Sequence, residues 1–191
     1  MRIDVPNVKG SGELYLDVMH ILCGNTAGKS MIDLGCHKAP YTSQLGFSER
    51  TYVDLLNRGL DNQEEQKYFV EADMISYLVN LLGKTVDVTI SSDSIEHLTY
   101  DGGLELLNWM RVRSRKQIIF TPLGGVSVNN PTEFAPDMHR SGWTPDMLPN
   151  YLAVVFPHFH PELNAGAWFG VNCDHSEKLS IYNQIKNKYG A

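Results

Sequence analysis

The feature that most constrains this chain is an alternation of short apolar runs with stretches of helical spacing. Met31-Ile32-Asp33-Leu34-Gly35, Thr51-Tyr52-Val53-Asp54-Leu55, Tyr68–Asp73, Val86–Ser91 and Gln117–Thr121 read as strands, several of them dense in β-branched residues. Residues 12–23 form a helix, with Leu14, Val18, Ile21 and Leu22 at helical positions and Gly24 placed to cap it. Residues 74–83 put Met74, Leu78, Leu81 and Leu82 on one side of a second helix. Thr99 caps a third, which runs through Leu104, Leu107 and Met110 and ends in Arg111, Arg113, Arg115 and Lys116, at the negative end of its dipole. Such alternation predicts βαβ units and a parallel sheet covered on both faces. Sheets of this kind bind ligands outside the carboxyl ends of their strands.

After Thr121 the pattern changes. Residues 122–143 are rich in proline, glycine and asparagine and predict a long loop, of the kind that is functional or mobile in a compact domain. A short helix follows from Thr144, with Pro145 at its first position. Tyr151–Phe156 and Ala167–Val171 predict an antiparallel pair at the end of the sheet, and 176–189 a polar C-terminal helix. The expectation is one domain over 1–191. An N-terminal helix occupies 1–27, a ligand-binding half 28–122, a lid or substrate loop 123–150, and a hairpin with the last helix 151–191.

Composition narrows the class. The chain has 191 residues, 42% of them hydrophobic and 20% charged, which excludes a disordered polymer. A net charge of −6 with no basic run argues against nucleic acid as a partner. No apolar stretch is long enough for a membrane span. Arg2, Asp4, Pro6 and Lys9 make the N-terminus unlike a signal peptide. Cys23, Cys36 and Cys173 are far apart and odd in number, so a disulfide framework is not expected and a cytoplasmic location is.

The polar residues at strand ends carry the chemistry. Asp33 and Gly35 end the first strand, and Asp54 ends the second about 20 residues on, a spacing that suits a ribose hydroxyl pair. Asp73 ends the third strand and could meet an amine donor. Each acid alone also reads as a helix cap or a solvated loop residue; three in series favour a ligand.

At these residues the sequence resembles the class I S-adenosylmethionine-dependent methyltransferases. The resemblance rests on Met-Ile-Asp-Leu-Gly-Cys (31–36), Thr-Tyr-Val-Asp-Leu (51–55), Glu-Ala-Asp-Met (71–74) and Asp-Val-Thr-Ile-Ser-Ser-Asp-Ser-Ile-Glu-His-Leu (87–98). It covers residues 28–122, and the Ile-Glu-His-Leu piece is typical of a small-molecule methyltransferase group. His139–Pro145 is similar to a loop of relatives encoded near glycan-assembly enzymes. The resemblance implies an α/β, Rossmann-like, seven-stranded mostly parallel sheet, with helices on both faces and a C-terminal antiparallel hairpin. It implies S-adenosyl-L-methionine as cofactor. Its methionine part would lie on the turn of Gly35, Cys36 and His37, with Asp33 placing the amino group. Asp54 and Leu55 would meet the ribose, Asp73 and the Met74 backbone the adenine, and Ser91 and Ser92 the methyl end. Ile95 or His97 would line the same pocket. The family expects glycines where this chain has His37 and Ala39, and the ring and Cβ of His37 narrow the backbone approach.

An already nucleophilic acceptor needs alignment more than acid–base chemistry. A hydroxyl acceptor needs a base, for which His97 and His139 are candidates, with Asp93 to position the acceptor. Each also reads as structural, His97 and Asp93 at the turn after the fourth strand, His139 on a surface loop. Trp143 reads either as a pocket wall or as an anchor for the loop. The expected activity is methyl transfer to a hydroxyl, amine or carboxylate of a small polar acceptor such as a sugar or glycan precursor. The alternative is a cofactor-binding module without turnover. The chain is expected as a monomer or homodimer.

Two further patterns are set aside. Gly28-Lys29-Ser30 precedes a strand instead of following one, and Cys23 stands where a phosphate-binding loop needs glycine. His158, His160, Cys173 and His175 would face one another across a hairpin in one register and suit zinc. That register is unsupported, so no metal is assigned.

Overall fold

The computed structural model describes residues 1–124, 138–160 and 165–190. Its centre is one sheet of eight strands: β1 (Arg2–Asp4), β2 (Ser30–Leu34), β3 (Glu49–Asp54), β4 (Phe69–Glu71), β5 (Val86–Ser92), β6 (Ser114–Pro122), β7 (Leu152–His160) and β8 (Ala165–Asn172). Their order across the sheet is β1-β7-β8-β6-β5-β2-β3-β4. Only β8 runs against its neighbours; every other pairing is parallel.

The strands alternate between two apolar layers, as a sheet buried on both faces requires. Met31, Ile90, Ile118 and Val154 face one layer with Val18, Met19 and Leu22 of α1 (Gly12–Cys23) and Ile181 and Ile185 of α4 (His175–Tyr189). Their strand neighbours Ile32, Ile119 and Val155 face the other with Leu78 of α2 (Met74–Asn80) and Leu106, Leu107 and Met110 of α3 (Tyr100–Arg113). Caps fix the helix starts. Ser11 Oγ accepts from Leu14 N, Thr99 Oγ1 from Gly102 N and Asp174 Oδ1 from Glu177 N.

Four expectations change. The sheet has eight strands, not seven: β1 adds an edge beside β7, with Ile3 opposite Val154, and is too short to show a period. The hairpin therefore does not end the sheet, and its returning strand β8 lies inside, between β6 and β7. Helix α2 stops at Asn80, short of 83. Arg115 and Lys116 do not end α3 but belong to β6. Buried Lys116 caps a different helix, its Nζ donating to the Leu22 and Cys23 carbonyls of α1 at 2.6 and 3.2 Å and pairing with Glu177 at 2.5 Å.

The hairpin register also separates the zinc-like set. Phe156 lies opposite Ala167 and His160 opposite Ala165, while Leu152 lies opposite Val171, so Cys173 and His175 follow the far end of β8 from His158 and His160. Of the loop expected over 123–150, residues 125–137 lie outside the described residues, as does the turn at Pro161. What is described is anchored: Gly124 N donates to Trp143 O, and a short helical turn spans Pro145–Met147. Among the described residues no helix is long and apolar enough to cross a membrane.

Candidate functional site

A cavity of about 380 Å³ opens at the carboxyl ends of β2, β3 and β5. The turn after β2 forms its floor. Gly35 has φ +70°, and a Cβ there would lie 2.5 Å from the Ser94 Cβ, so only glycine fits between β2 and the turn after β5. His37 and Ala39 also hold left-handed conformations, φ +50° and +49°. The loop thus keeps a glycine-like path with side chains attached. A left-handed conformation costs a residue with a Cβ roughly 1–2 kcal/mol.

Asp33 and Asp54 stand at neighbouring strand tips and both line the cavity. Asp33 is 2% exposed. Thr42 Oγ1 donates to its Oδ2, and Oδ1 has no hydrogen-bond partner among the described residues. Burial, moderated by the Thr42 bond and reinforced by the Asp54 charge, pushes its carboxyl up to about 7. Asp54 accepts from His37 N at 2.8 Å on Oδ2 and from Leu56 N at 3.1 Å on Oδ1. Each oxygen keeps a lone pair for a ligand. Leu55, Ala72 and Met74 add apolar wall, and Cys36 and His37 line the cavity as well, the Cys36 thiol pushed up by burial.

Asp73 is not on the cavity wall. Its Oδ1 accepts from Ser76 N at 2.8 Å and caps α2, so the capping reading of this acid holds. Ser91 is fully buried behind the wall. The Ser94 hydroxyl donates to Leu34 O at 2.8 Å, so at the 2.6 Å Ser91–Ser94 contact Ser91 is the donor. Ser92 does reach the cavity, where it accepts from Tyr15 OH at 2.8 Å. Ile95 packs in the core beneath Trp143 and does not line the cavity.

The two candidate histidines, distant in sequence, converge. His97 lines the cavity and His139 packs edge-on against it, ring centroids 5.0 Å apart. Burial and its neighbour His97 hold His139 below the usual imidazole range. Asp93, at φ +47°, also faces the cavity. Crowding by protein atoms and the adjacent Glu96 push its carboxyl upward, an effect tempered because its surface opens to the cavity. Glu96 is 2% exposed and accepts from Thr121 Oγ1 at 3.0 Å; burial pushes it up to about 7. Trp143 is fully buried, donates to Ser141 Oγ at 2.8 Å and stacks on Tyr100, so it anchors the loop and forms no part of the cavity wall.

Tyr15, Thr42 and Glu96 escaped the sequence reading. Tyr15 lies on the buried stripe of α1 with Met19 and Leu22, and that spacing was the available signal. Thr42 sits in an irregular turn and gave none.

No protein-family model matches the sequence, and no curated protein sequence matches it. Solved structures do. One is an S-adenosylmethionine-dependent methyltransferase from Archaeoglobus fulgidus, 17% identical with a TM-score of 0.58, covering 85% of this chain and 95% of that one. A second is the N-methyltransferase NodS from Bradyrhizobium japonicum, 10% identical with a TM-score of 0.60, covering 85% and 96%. A third is 1,6-didemethyltoxoflavin-N1-methyltransferase from Burkholderia thailandensis, with bound 1,6-didemethyltoxoflavin and S-adenosylhomocysteine, 13% identical with a TM-score of 0.61, covering 85% and 78%. This chain, with its eight-stranded mixed sheet, has the α/β Rossmann-like fold of these methyltransferases.

Proposed function

We propose that this protein is an S-adenosylmethionine-dependent methyltransferase acting on a hydroxyl, amine or carboxylate of a small polar acceptor such as a sugar. The observation that carries the reading is Asp33. A buried carboxylate oxygen without a partner, at the end of a cavity, calls for a cationic donor. The ammonium of the cofactor's methionine part is such a donor. Asp54 stands one strand away for the ribose hydroxyls, and Leu55, Ala72 and Met74 supply the apolar wall for an adenine. The solved neighbour that holds S-adenosylhomocysteine has the same fold and supports the choice.

The cofactor supplies an electrophilic methyl group on sulfonium. The protein's part is placement: Tyr15 and Ser92 bound the cavity beside β5, and Asp93 and His97 face its acceptor end. There a neutral imidazole can take the proton of an acceptor hydroxyl. The negative net charge favours a small acceptor over nucleic acid.

Calorimetric titration with S-adenosylhomocysteine, with S-adenosylmethionine alongside, tests the reading. Micromolar binding that Asp33→Asn weakens supports it. No binding at millimolar ligand overturns it. Binding with no methyl transfer across an acceptor screen would assign the chain to cofactor binding without turnover.

A further inference from the structure

We propose that Glu96, His97 and His139 form a binding site for one divalent transition-metal ion at the edge of the cavity. Their ligand atoms all lie within 4.8 Å of one another. Two imidazole nitrogens and one carboxylate oxygen are a donor set for zinc or a neighbouring first-row ion, and too nitrogen-rich for magnesium or calcium. Three protein ligands leave coordination positions open, and His97 already lines the cavity.

Two independent observations point to a ligand here. Glu96 is 2% exposed, yet its Oε1 has no hydrogen-bond partner among the described residues. The Nδ1 of His97 is likewise buried and unpartnered among them. Two orphaned polar atoms in one small cluster are costly unless something binds them.

The cluster is also held in place. Glu96 and His97 lie on the helical turn Ile95–His97 after β5. The Glu96 carbonyl accepts from Arg140 N at 2.7 Å and Ser141 N at 3.1 Å, which pins the segment carrying His139 against that turn. Ser141 Oγ donates to Leu98 O at 2.9 Å and is fixed by Trp143 Nε1. Thr121 Oγ1 orients the carboxylate through Glu96 Oε2. Bonds of this outer kind fix ligand orientation at metal sites.

Metal binding itself does not depend on the cofactor reading. The role of the ion does rest on it: an acceptor hydroxyl or carboxylate would occupy an open position, and a bound hydroxyl would lose its proton to water more readily, with His97 then a ligand of the ion instead of the base.

The test uses the full chain, stripped with chelator and titrated with Zn²⁺, Mn²⁺ and Co²⁺ by calorimetry, with Co²⁺ visible absorption as a second readout. The expected result is one ion per chain, with affinity reduced about tenfold or more by His139→Ala and by Glu96→Gln, and unchanged by His158→Ala. Partly exposed His139 decides the matter if Glu96→Gln fails to fold. Absence of saturable binding, or binding that survives His139→Ala, overturns the site. S-adenosylhomocysteine is titrated into the same stripped sample. Cofactor binding without metal binding sinks the metal site alone, and metal binding without cofactor binding sustains the site while overturning the cofactor reading.

Discussion

The backbone N–H of His37 donates to Asp54 Oδ2 at 2.8 Å. The turn after β2 is therefore tied to the acid at the tip of β3, and the two parts of the cavity expected to hold one ligand are built as a unit. The bond also explains how His37 tolerates a φ of +50°. The strain of the turn is offset where the backbone meets a carboxylate, since hydrogen bonds to charged groups are worth about 1.5–3 kcal/mol.

Replacing His37 with glycine keeps that N–H and removes the Cβ that strains the turn. The substitution should leave thermal stability unchanged or raise it by up to about 1 kcal/mol, because glycine's extra freedom in the unfolded chain offsets part of the relief. Affinity for S-adenosylhomocysteine should stay the same or improve. A loss above about tenfold, roughly 1.4 kcal/mol, would mean that the His37 ring itself contacts the ligand.

Asp54→Ala removes the partner of His37 N and Leu56 N together with the carboxylate. Cofactor binding should weaken by about 1–3 kcal/mol. Asp54→Asn keeps one acceptor oxygen for the backbone and should lose less. If calorimetry shows both variants binding with wild-type affinity, Asp54 has no part in holding the ligand.

What could be read in advance follows from range of interaction. The buried strands β2, β3 and β5 and the cap Thr99 express themselves within a few residues, so pattern sufficed for these elements and for placing Asp33, Gly35 and Asp54 at strand ends, where they line one cavity. Asp73 carried the same local signature as Asp54 but spends its carboxylate on Ser76 N, and nothing in its neighbours distinguishes the two. The pairing of His97 with His139, the orphaned Glu96 oxygen and the Lys116 cap on α1 depend on contacts between distant segments. β1 was missed because three residues cannot show a period.

Two adjacent glycines in α3 should respond unequally to alanine. A Cβ on Gly103 would lie 2.3 Å from Trp143 Cζ2, and the fully buried indole has no room to retreat. Gly103→Ala should destabilise by about 1–3 kcal/mol through overpacking. A Cβ on Gly102 would lie 3.3 Å from the Thr99 hydroxyl that caps the helix, a mild crowding that offsets the roughly 0.5–1 kcal/mol gained from reduced chain entropy, so Gly102→Ala should stay within about 0.5 kcal/mol of the unsubstituted protein. Thermal melts of the two variants decide it, and equal effects would show that Trp143 is not held over the helix as described.

Asp33 gives the cavity a pH dependence whose sign can be worked out. Its carboxyl is pushed from 3.8 to about 7 by burial, so the folded protein without ligand holds this proton more tightly than the unfolded chain does. The stability contribution is complete below the unfolded value and is lost as pH rises through the folded one, so the unliganded protein should become less stable from about pH 4 to about pH 7. Buried Glu96, raised to about 7 by the same cause, acts in the same direction. Cofactor binding should run the other way, because an ammonium at Oδ1 favours the ionised carboxylate. Affinity for S-adenosylhomocysteine should then tighten as pH rises toward about 7, by up to about tenfold per pH unit, and level off above it. Calorimetry at pH 6 in buffers of different ionisation enthalpy should show proton release on binding, and Asp33→Asn should abolish both the release and most of the pH dependence. Binding that is flat between about pH 5 and 7 in the unsubstituted protein would remove Asp33 from the ammonium site.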